Sequence, residues 1–230
     1  MTPRGVEVTV ADDAEAAAQR VAELLAEAAR AGDEIVLTGG STPGRAYELA
    51  AELEPDWSNA GVWWGDERSV PPEDERSNFG LARRTLLEKL ESEPGRVHRI
   101  RGEDPPATAA AVYEREVRGT TFDLLLLGLG PDGHVASLFP HSPGLDEAVR
   151  LAIPAEPKLE PYVERVTLTP PVLRAARRIV FLVTGEAKAG AVAKALAGPP
   201  DPAIPGSLIR AEVGETLAIL DKQAASQLRD

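Results

Sequence analysis

The residues best suited to proton transfer lie in the segment GLGPDGH, residues 128–134, which follows the apolar run FDLLLL. His134 is one of three histidines in the chain. Its imidazole can take up and return a proton near neutral pH, which is the chemistry of a general acid–base catalyst. Asp132, two residues earlier, supplies a carboxylate close to that ring. The segment therefore predicts a catalytic histidine that is presented by a turn at the end of a strand.

The same segment matches the dinucleotide-binding pattern G-x-G-x-x-G through Gly128, Gly130 and Gly133. In proteins that bind dinucleotides, this pattern lies early in a β-α-β unit and opens an ordinary helix. Here it lies in the middle of the chain, prolines interrupt the residues that follow, and Asp132 would place a carboxylate against a pyrophosphate. We therefore interpret the glycines as a tight turn that lets the backbone approach a small ligand.

The segment TGGSTPG has the composition of a phosphate-binding loop at the start of a helix. Free N–H groups and a partial positive charge at a helix N-terminus bind anions, and Pro43 suits the first helical turn because its N–H is not needed there. We expect Ser41 or Thr42 to cap the helix. Gly39, Gly40, Ser41 and Thr42 form the candidate phosphate cradle, and an ordinary capped helix is the alternative.

Charged residues follow the apolar stretch GVWW. Asp66, Glu67 and Arg68 come directly after the glycine that ends this stretch. We expect a loop here, with all three side chains at the edge of the sheet. A solvated charged loop is the alternative, and we expect it for the second DER sequence at residues 74–76.

Three basic residues in the second half of the chain could supply local positive charge. They are Arg165 in VERVTLT, Lys188 at the end of VTGEAK, and Arg210 after PGSLI. The net charge is −12, so an anionic substrate would need such a cluster against the overall field. Lys188 lies near the expected start of a helix, where a bound anion would offset the unfavourable position of a cation. Surface ion pairs are the alternative for each residue.

Composition excludes several classes of protein. The net charge of −12 argues against binding of nucleic acids or anionic membranes. The chain has no cysteine, which excludes disulfides, thiolate catalysis and cysteine-ligated zinc. His134 and His141 lack the spacing of metal ligands, and we expect His98 and His141 to be structural or exposed. No apolar run approaches membrane length, and we expect a cytoplasmic protein.

Strand-like and helix-like segments alternate along the chain, which predicts an α/β fold. We expect a doubly wound and mostly parallel sheet with helices on both faces, in a single domain over residues 1–230. A proline-rich excursion at about 140–161 interrupts the alternation and could carry a short antiparallel hairpin. Ligands bind beyond the carboxyl ends of parallel strands. TGGSTPG, WGDERSV, GLGPDGH and VTGEAK each follow a strand, so we expect them to converge on one site.

Five segments of the chain resemble the 6-phosphogluconolactonase family. They are LTGGSTPGRAYELA, WWGDERSVPPEDERSNFGLARRTLL, FDLLLLGLGPDGHVASLFPHSPGL, RVTLTPPVL and VTGEAKAGAV. Together they run from residue 37 to about residue 192, and GLGPDGHVASLFP is a very specific match. The resemblance implies a modified Rossmann-like fold shared with sugar-phosphate isomerases and deaminases. It also implies activity with no metal and no organic cofactor.

The related glucosamine-6-phosphate deaminases have similar GSTP, DE and DGH segments. Their pattern after the histidine resembles I-A-F-N-E-P, in which a glutamate precedes the proline and serves ring opening. Phe139 occupies that place here, and DER replaces a DEY-type sequence. Both departures favour the lactonase branch of the superfamily.

The resemblance implies hydrolysis of a phosphorylated sugar lactone, 6-phospho-D-glucono-1,5-lactone, with His134 as general base on a water. The implied catalytic set is His134, Asp132, Arg68 and Asp66. The implied phosphate-binding set is Gly39, Gly40, Ser41, Thr42, Arg165 and Lys188. Either Arg68 or backbone N–H groups of the glycine turn would stabilise the oxyanion. Either Asp132 or Asp66 would orient the imidazole, and the other would bind sugar hydroxyls.

Two other functions stay open at the level of sequence. One is an isomerase or deaminase of a related sugar phosphate, which Phe139 disfavours. The other is a regulatory domain that binds a sugar phosphate, which would need the cradle but no base such as His134. We expect a monomer, with a homodimer as the alternative, because the surface helices are largely polar. The role of Arg210 stays open.

Overall fold

The computed structural model describes residues 5–228. Its strands are β1 (Val6–Ala11), β2 (Glu34–Leu37), β3 (Gly61–Trp64), β4 (Asp66–Arg68), β5 (Arg96–His98), β6 (Leu124–Leu127), β7 (Ala152–Ala155), β8 (Arg165–Leu168), β9 (Arg178–Val183) and β10 (Glu215–Asp221). Its α-helices are α1 (Ala14–Ala31), α2 (Ser41–Leu53), α3 (Asn78–Thr85), α4 (Pro106–Val117), α5 (Pro170–Arg174) and α6 (Ala189–Val192). A π-helical turn, Ala193–Ala197, continues α6. Short 3₁₀ turns lie at Leu87–Lys89, Pro143–Asp146, Glu186–Lys188 and Pro205–Leu208.

A seven-stranded sheet forms the centre of the fold, in the order β1-β10-β9-β6-β2-β3-β5. Neighbouring strands in it are parallel throughout. Strand β6 has the sequence LLLL and is buried along its whole length. It lies between β9 and β2 in the middle of the sheet, which explains its continuous rather than alternating apolar pattern. The predicted Rossmann-like, mostly parallel sheet with helices is confirmed.

A second sheet of three antiparallel strands, in the order β4-β8-β7, stands beside the main one. The expectation of a loop at residues 66–68 is wrong, because β8 provides these residues with a pairing partner. A bond from Leu168 N to Gly65 O continues that pairing. Strand β7 lies in the proline-rich excursion, which therefore contributes one strand of an antiparallel pair. The register between β4 and β8 sets Arg68 opposite Arg165.

Helix α2 begins directly after the two glycines of TGGSTPG. The expected capping by Ser41 or Thr42 is wrong, because both residues lie inside the first helical turn and Gly40 is the N-cap residue. Gly40 has a φ of 118°, a conformation that residues with a side chain rarely adopt. The Thr42 hydroxyl instead shares a hydrogen bond of 2.7 Å with the Thr184 hydroxyl. The helix start therefore carries no side-chain cap among residues 5–228.

Two buried tyrosines fix the chain at the ends of β2 and β3, directly before two of the polar segments. The Tyr47 hydroxyl accepts a hydrogen bond from Thr38 N at 2.9 Å and donates one to Thr38 O at 2.6 Å. The Tyr113 hydroxyl makes the same pair of bonds with Trp64 N and O, at 3.0 and 2.8 Å. Burial raises the pKa of both phenols, so both stay protonated and can donate. Each tyrosine thus holds one site-bearing strand end by its backbone.

We expect Tyr47→Phe and Tyr113→Phe each to lower the free energy of unfolding by about 1–3 kcal/mol, because each leaves a buried backbone N–H and C=O without a partner. Urea unfolding followed by circular dichroism measures this loss. Tyr162→Phe is the control, since Tyr162 is 66% exposed and its substitution should not change stability. Buried variants as stable as the wild type would show that the two hydroxyls do not hold the strand ends.

Candidate active site

Four polar segments meet beyond the carboxyl ends of β2, β3, β6 and β9 and enclose a cavity of about 500 Å³. The predicted site residues that line it are Gly39, Gly40, Asp66, Arg68, His134, Arg165 and Lys188. The structure therefore brings together residues from all four segments and from β8. Ser41, Thr42 and Asp132 are absent from this lining, although Ser41 adjoins Gly40 and Asp132 contacts His134.

The turn before His134 is built by glycines. Gly130 N donates to His134 O at 2.8 Å, and Gly133 N donates to Gly130 O at 2.9 Å. A Cβ at Gly130 would overlap the His134 imidazole, and Gly133 has a φ of 85°. The tight turn inferred from the sequence is therefore what the structure shows, and a side chain at Gly130 would displace the histidine.

His134 is oriented by Asp132. The Nδ1 atom of His134 lies 2.6 Å from Asp132 Oδ1, and the backbone N–H of His134 donates to the same oxygen at 3.2 Å. A carboxylate at Nδ1 holds the ring proton on that nitrogen and leaves Nε2 as the basic atom. Of the two candidates for this role, the structure thus places Asp132 in contact with the ring.

The surroundings of Asp132 and of the nearby Lys188 shift the pKa values of both side chains. Burial works to raise the pKa of Asp132, but the hydrogen bonds and charge of His134 outweigh it, so that the pKa lies below its ordinary value. Burial lowers the pKa of the Lys188 ammonium, and the Asp132 carboxylate opposes that shift. A half-buried lysine at the edge of a cavity favours an anion there, because an opposite charge stabilises its ammonium form.

Asp66 has a structural position beside the cavity. Its Oδ2 accepts from Ser137 Oγ at 2.6 Å, and its Oδ1 accepts from Asn78 Nδ2 at 3.1 Å. It therefore ties β4 to α3 and to the segment after His134. Asp66 is buried, with 4% of the residue exposed.

Glu67 does not lie at the exposed edge of the sheet, and that expectation is wrong. The residue is 2% exposed, because its carboxylate turns inward and binds the start of α3. It accepts hydrogen bonds from Asn78 N, Phe79 N and Ser77 Oγ at 2.7, 2.8 and 2.9 Å. Burial raises the pKa of Glu67, and these donors oppose the shift. A negative charge at a helix N-terminus is favourable. Glu67 therefore holds β4 against the start of α3, and this also fixes the position of the neighbouring Arg68.

Arg68 and Arg165 stand opposite each other across the β4–β8 pairing and both line the cavity. Arg68 donates from Nη1 to Arg76 O at 2.8 Å and to Asn78 Oδ1. Arg165 donates from Nη2 to Pro161 O at 3.3 Å and to a second carbonyl of the same loop. Among residues 5–228, the Nε atoms of both arginines are buried without a partner. Like charges on opposite residues of a pairing repel, so this arrangement favours an anion between them.

Several residues that line the cavity were not indicated by any sequence motif. Asn78 joins Asp66 to Arg68, and its amide lies so close to Gly39 that a Cβ there would overlap it. The sequence indicated no role for Asn78 in the site, because its partners come from distant segments. Glu160 and Tyr162 in the proline-rich excursion also line the cavity, and no motif marked them.

Other candidates lie elsewhere. Arg210 is absent from the cavity lining and donates to Gly206 O and Ala195 O at 2.8 and 2.6 Å, so it binds the chain near α6. His98 stacks on Trp63 with a centroid distance of 3.8 Å. His141 is exposed. Among residues 5–228, no cluster of acidic or histidine side chains is arranged to hold a metal ion, and no helix is long and apolar enough to cross a bilayer.

The fold and this cavity define a Rossmann-like α/β protein in which three cationic side chains and an aspartate-oriented histidine line one cavity. A family profile described as glucosamine-6-phosphate isomerases/6-phosphogluconolactonase matches residues 9–218. The chain belongs to this family.

Several proteins similar to this chain are named 6-phosphogluconolactonase. This chain is 40% identical to the 6-phosphogluconolactonase of Streptomyces coelicolor, and the match covers 94% of this chain and 90% of the relative. It is 38% identical to the human 6-phosphogluconolactonase, with 94% and 88% covered. The solved structure of the Trypanosoma brucei 6-phosphogluconolactonase superposes with a TM-score of 0.86 at 27% identity, and the match covers 97% of this chain and 99% of that one.

The lowered pKa of Asp132 predicts a pH-dependent contribution to stability. A carboxylate whose pKa lies below its ordinary value of 3.8 stabilises the folded state above that pH, and the contribution is lost as the pH falls through the lowered pKa. We expect Asp132→Asn to be less stable than the wild type at neutral pH, and the difference to shrink in acid. Urea unfolding over a pH series measures it.

The control is the same substitution in a His134→Ala background, where the partner that lowers the pKa is gone. There the difference should be smaller at neutral pH and should depend less on pH. A difference that is equal at neutral and acidic pH, with or without His134, would contradict the pairing.

Proposed function

We propose that this protein hydrolyses 6-phospho-D-glucono-1,5-lactone to 6-phospho-D-gluconate, a step of the oxidative pentose phosphate pathway. One observation carries the proposal. A histidine oriented by a carboxylate and three cations, Arg68, Arg165 and Lys188, line one cavity, in a chain whose relatives are named for this reaction. The cavity's volume of about 500 Å³ lies in the range of small-molecule sites.

His134 acts as general base on a water that attacks C1 of the lactone. The new bond forms between the water oxygen and C1, the proton passes to Nε2, and the carbonyl becomes an oxyanion. Arg68 is the donor for that oxyanion, because Gly130 N and Gly133 N in the glycine turn already donate to backbone carbonyls. The bond between C1 and the ring oxygen then breaks, and His134 returns its proton to the departing oxygen. Asp132 stabilises the imidazolium between the two transfers.

Positive groups across the cavity bind the phosphate. Gly39 and Gly40 open α2, whose first backbone N–H groups, including those of Ser41 and Thr42, form an anion site at a helix terminus. Lys188 and Arg165 add two charges that their own surroundings do not neutralise. The phosphate thus fixes the substrate at one side of the cavity, and C1 lies against His134. Asp66 holds β4, α3 and the segment after His134 together beside the cavity.

The barrier that this site must lower is modest. A lactone is an activated ester that hydrolyses unaided. One positioned base contributes roughly 10²–10⁴ in rate, and orientation of the substrate adds to it. The His134–Asp132 pair, the oxyanion donor and the phosphate site are therefore a sufficient set.

Phe139 argues against the deaminase alternative, because a ring-opening carboxylate would have to stand at its position. An oriented His134 argues against a purely regulatory domain, which would gain nothing from a base. The deciding experiment generates the lactone in situ, traps it and follows acid release with and without the protein. Acceleration over the spontaneous rate is expected. A rate equal to the spontaneous one would end the proposal, and ring opening of glucosamine 6-phosphate would favour the deaminase.

Further features of the working form belong to the same proposal. The chain acts as a single domain over residues 1–230, in the cytoplasm, where its phosphorylated substrate arises. It acts as a monomer, because its surface helices are largely polar. Sedimentation at assay concentration tests this last point, and activity that depends on protein concentration would contradict it.

We expect His134→Ala to lower kcat by about 10²–10⁴ with little change in KM, because the variant loses the base and keeps the phosphate site. Steady-state hydrolysis of the lactone measures this. His141→Ala is the matched control, since this histidine is exposed and lies outside the cavity lining. Full activity in His134→Ala would overturn the mechanism and leave the reaction standing.

We expect Lys188→Met to raise KM for the phosphorylated lactone by about 10- to 100-fold, because a hydrogen bond between charged groups is lost. KM for unphosphorylated glucono-1,5-lactone should stay the same. Lys222→Met is the control, because Lys222 lies in an exposed ion pair with Asp12. An equal rise in KM for both lactones would show that Lys188 does not bind the phosphate.

A further inference from the structure

Phe139 contacts both the proposed catalytic base, His134, and a proposed phosphate-binding cation, Arg165. It is 1% exposed. Its ring centroid lies 4.8 Å from that of His134, with an interplanar angle of 40°. The guanidinium carbon of Arg165 lies over the same ring, 5.4 Å from its centroid. One rigid aromatic group therefore touches both.

Arg165 depends on that ring because its other partners are weak. The residue is 4% exposed. Within the described part of the chain, no carboxylate lies within ion-pair distance of it, and its Nε has no partner. Its hydrogen bonds to Leu159 O and Pro161 O are long, at 3.4 and 3.3 Å. Burial lowers the pKa of Arg165 and the Arg68 charge adds to the shift, while the Asp66 carboxylate opposes it only in part. The negative face of an aromatic ring stabilises such a cation without neutralising it.

A second cavity of about 330 Å³ lies on the other side of Phe139. Its apolar walls include Leu138, Ile153 and Pro154. Phe139 lines this second cavity and is absent from the lining of the first, whereas His134 and Arg165 line the first. The ring thus stands behind the two site residues rather than against a substrate. It also borders free space, so a side chain of similar size can replace it without overpacking.

We propose that Phe139 is a positioning residue that holds Arg165 and His134 in a fixed relation to each other. Its ring supports the phosphate-binding guanidinium on one side and limits the rotation of the imidazole on the other. This inference rests on the proposed lactone hydrolysis, in which the distance between phosphate and C1 is set by the substrate. A change at Phe139 that displaced Arg165 or His134 would lower both the affinity for the substrate and the rate of hydrolysis.

The test compares Phe139→Leu with Phe139→Tyr. Leucine keeps apolar bulk but has no aromatic face, so KM for the phosphorylated lactone should rise roughly 2- to 30-fold, the range expected for a cation–π contact. The value of kcat should fall as well, because the imidazole loses its neighbour. Tyrosine keeps the ring, so KM of the tyrosine variant should stay close to the wild-type value and below that of the leucine variant. Phe139→Met replaces the leucine variant if that variant does not fold.

Two controls separate positioning from packing. Phe79→Leu removes a cation–π contact of the same 5.4 Å geometry, made with Arg99 outside the cavity, and should lower stability without changing KM. Phe139→Leu in an Arg165→Met background should have no further effect on KM, since the supported cation is gone. A KM effect of equal size in both backgrounds, or wild-type constants in a folded Phe139→Leu, would overturn the proposal.

Failure of the proposed function gives a different pattern. If the wild type does not accelerate lactone hydrolysis, the function fails, whatever the variants do. Calorimetric binding of inorganic phosphate then still tests Phe139, because the contact with Arg165 predicts weaker binding in Phe139→Leu than in the wild type. Equal phosphate affinity in the two proteins would overturn the inference alone.

Discussion

Two guanidinium groups stand opposite each other across a three-residue pairing, in a chain whose net charge is −12. The rest of the site depends on this pairing. Repulsion between Arg68 and Arg165 must be offset, and their buried Nε atoms have no partner within residues 5–228. The Asp66 charge favours the Arg165 cation, yet Asp66 is committed to Ser137 and Asn78. The charge of this pair is therefore incompletely compensated by the fold, which is the electrostatic basis for the proposed binding of an anionic substrate.

The carboxylates around the cavity divide into two kinds by geometry. Asp66 and Glu67 bind backbone and amide donors of α3 and so hold β4 in place. Asp132 alone among the three contacts an imidazole. This division follows from the parallel sheet, since each strand end delivers one segment to the same edge. Tyr47 and Tyr113 hold two of those strand ends by hydrogen bonds to the backbone. The short segments that follow these strands therefore begin at fixed positions.

Sequence predicted those parts of the fold and site that local patterns determine. A continuous apolar run marked β6, and glycines after it marked the turn that presents His134. The pairing of β4 with β8 was not predictable, because three residues carry too little pattern and their partner lies far along the chain. Asn78 was missed for the same reason, since its contacts join distant segments. Gly40 took the N-cap position because its φ of 118° suits glycine and not serine.

The aromatic side chain at position 139 of this chain has a physical consequence for its two neighbours, Arg165 and His134. A carboxylate in its place would lie beside Arg165 and His134 and would pair with the guanidinium, which the site needs for a phosphate. It would also bring a second acid to the imidazole that Asp132 already orients. An aromatic ring stabilises the buried cation and leaves its charge unneutralised. The choice between a ring and a carboxylate at residue 139 is therefore a choice between a cation free to bind substrate and one held by the protein itself.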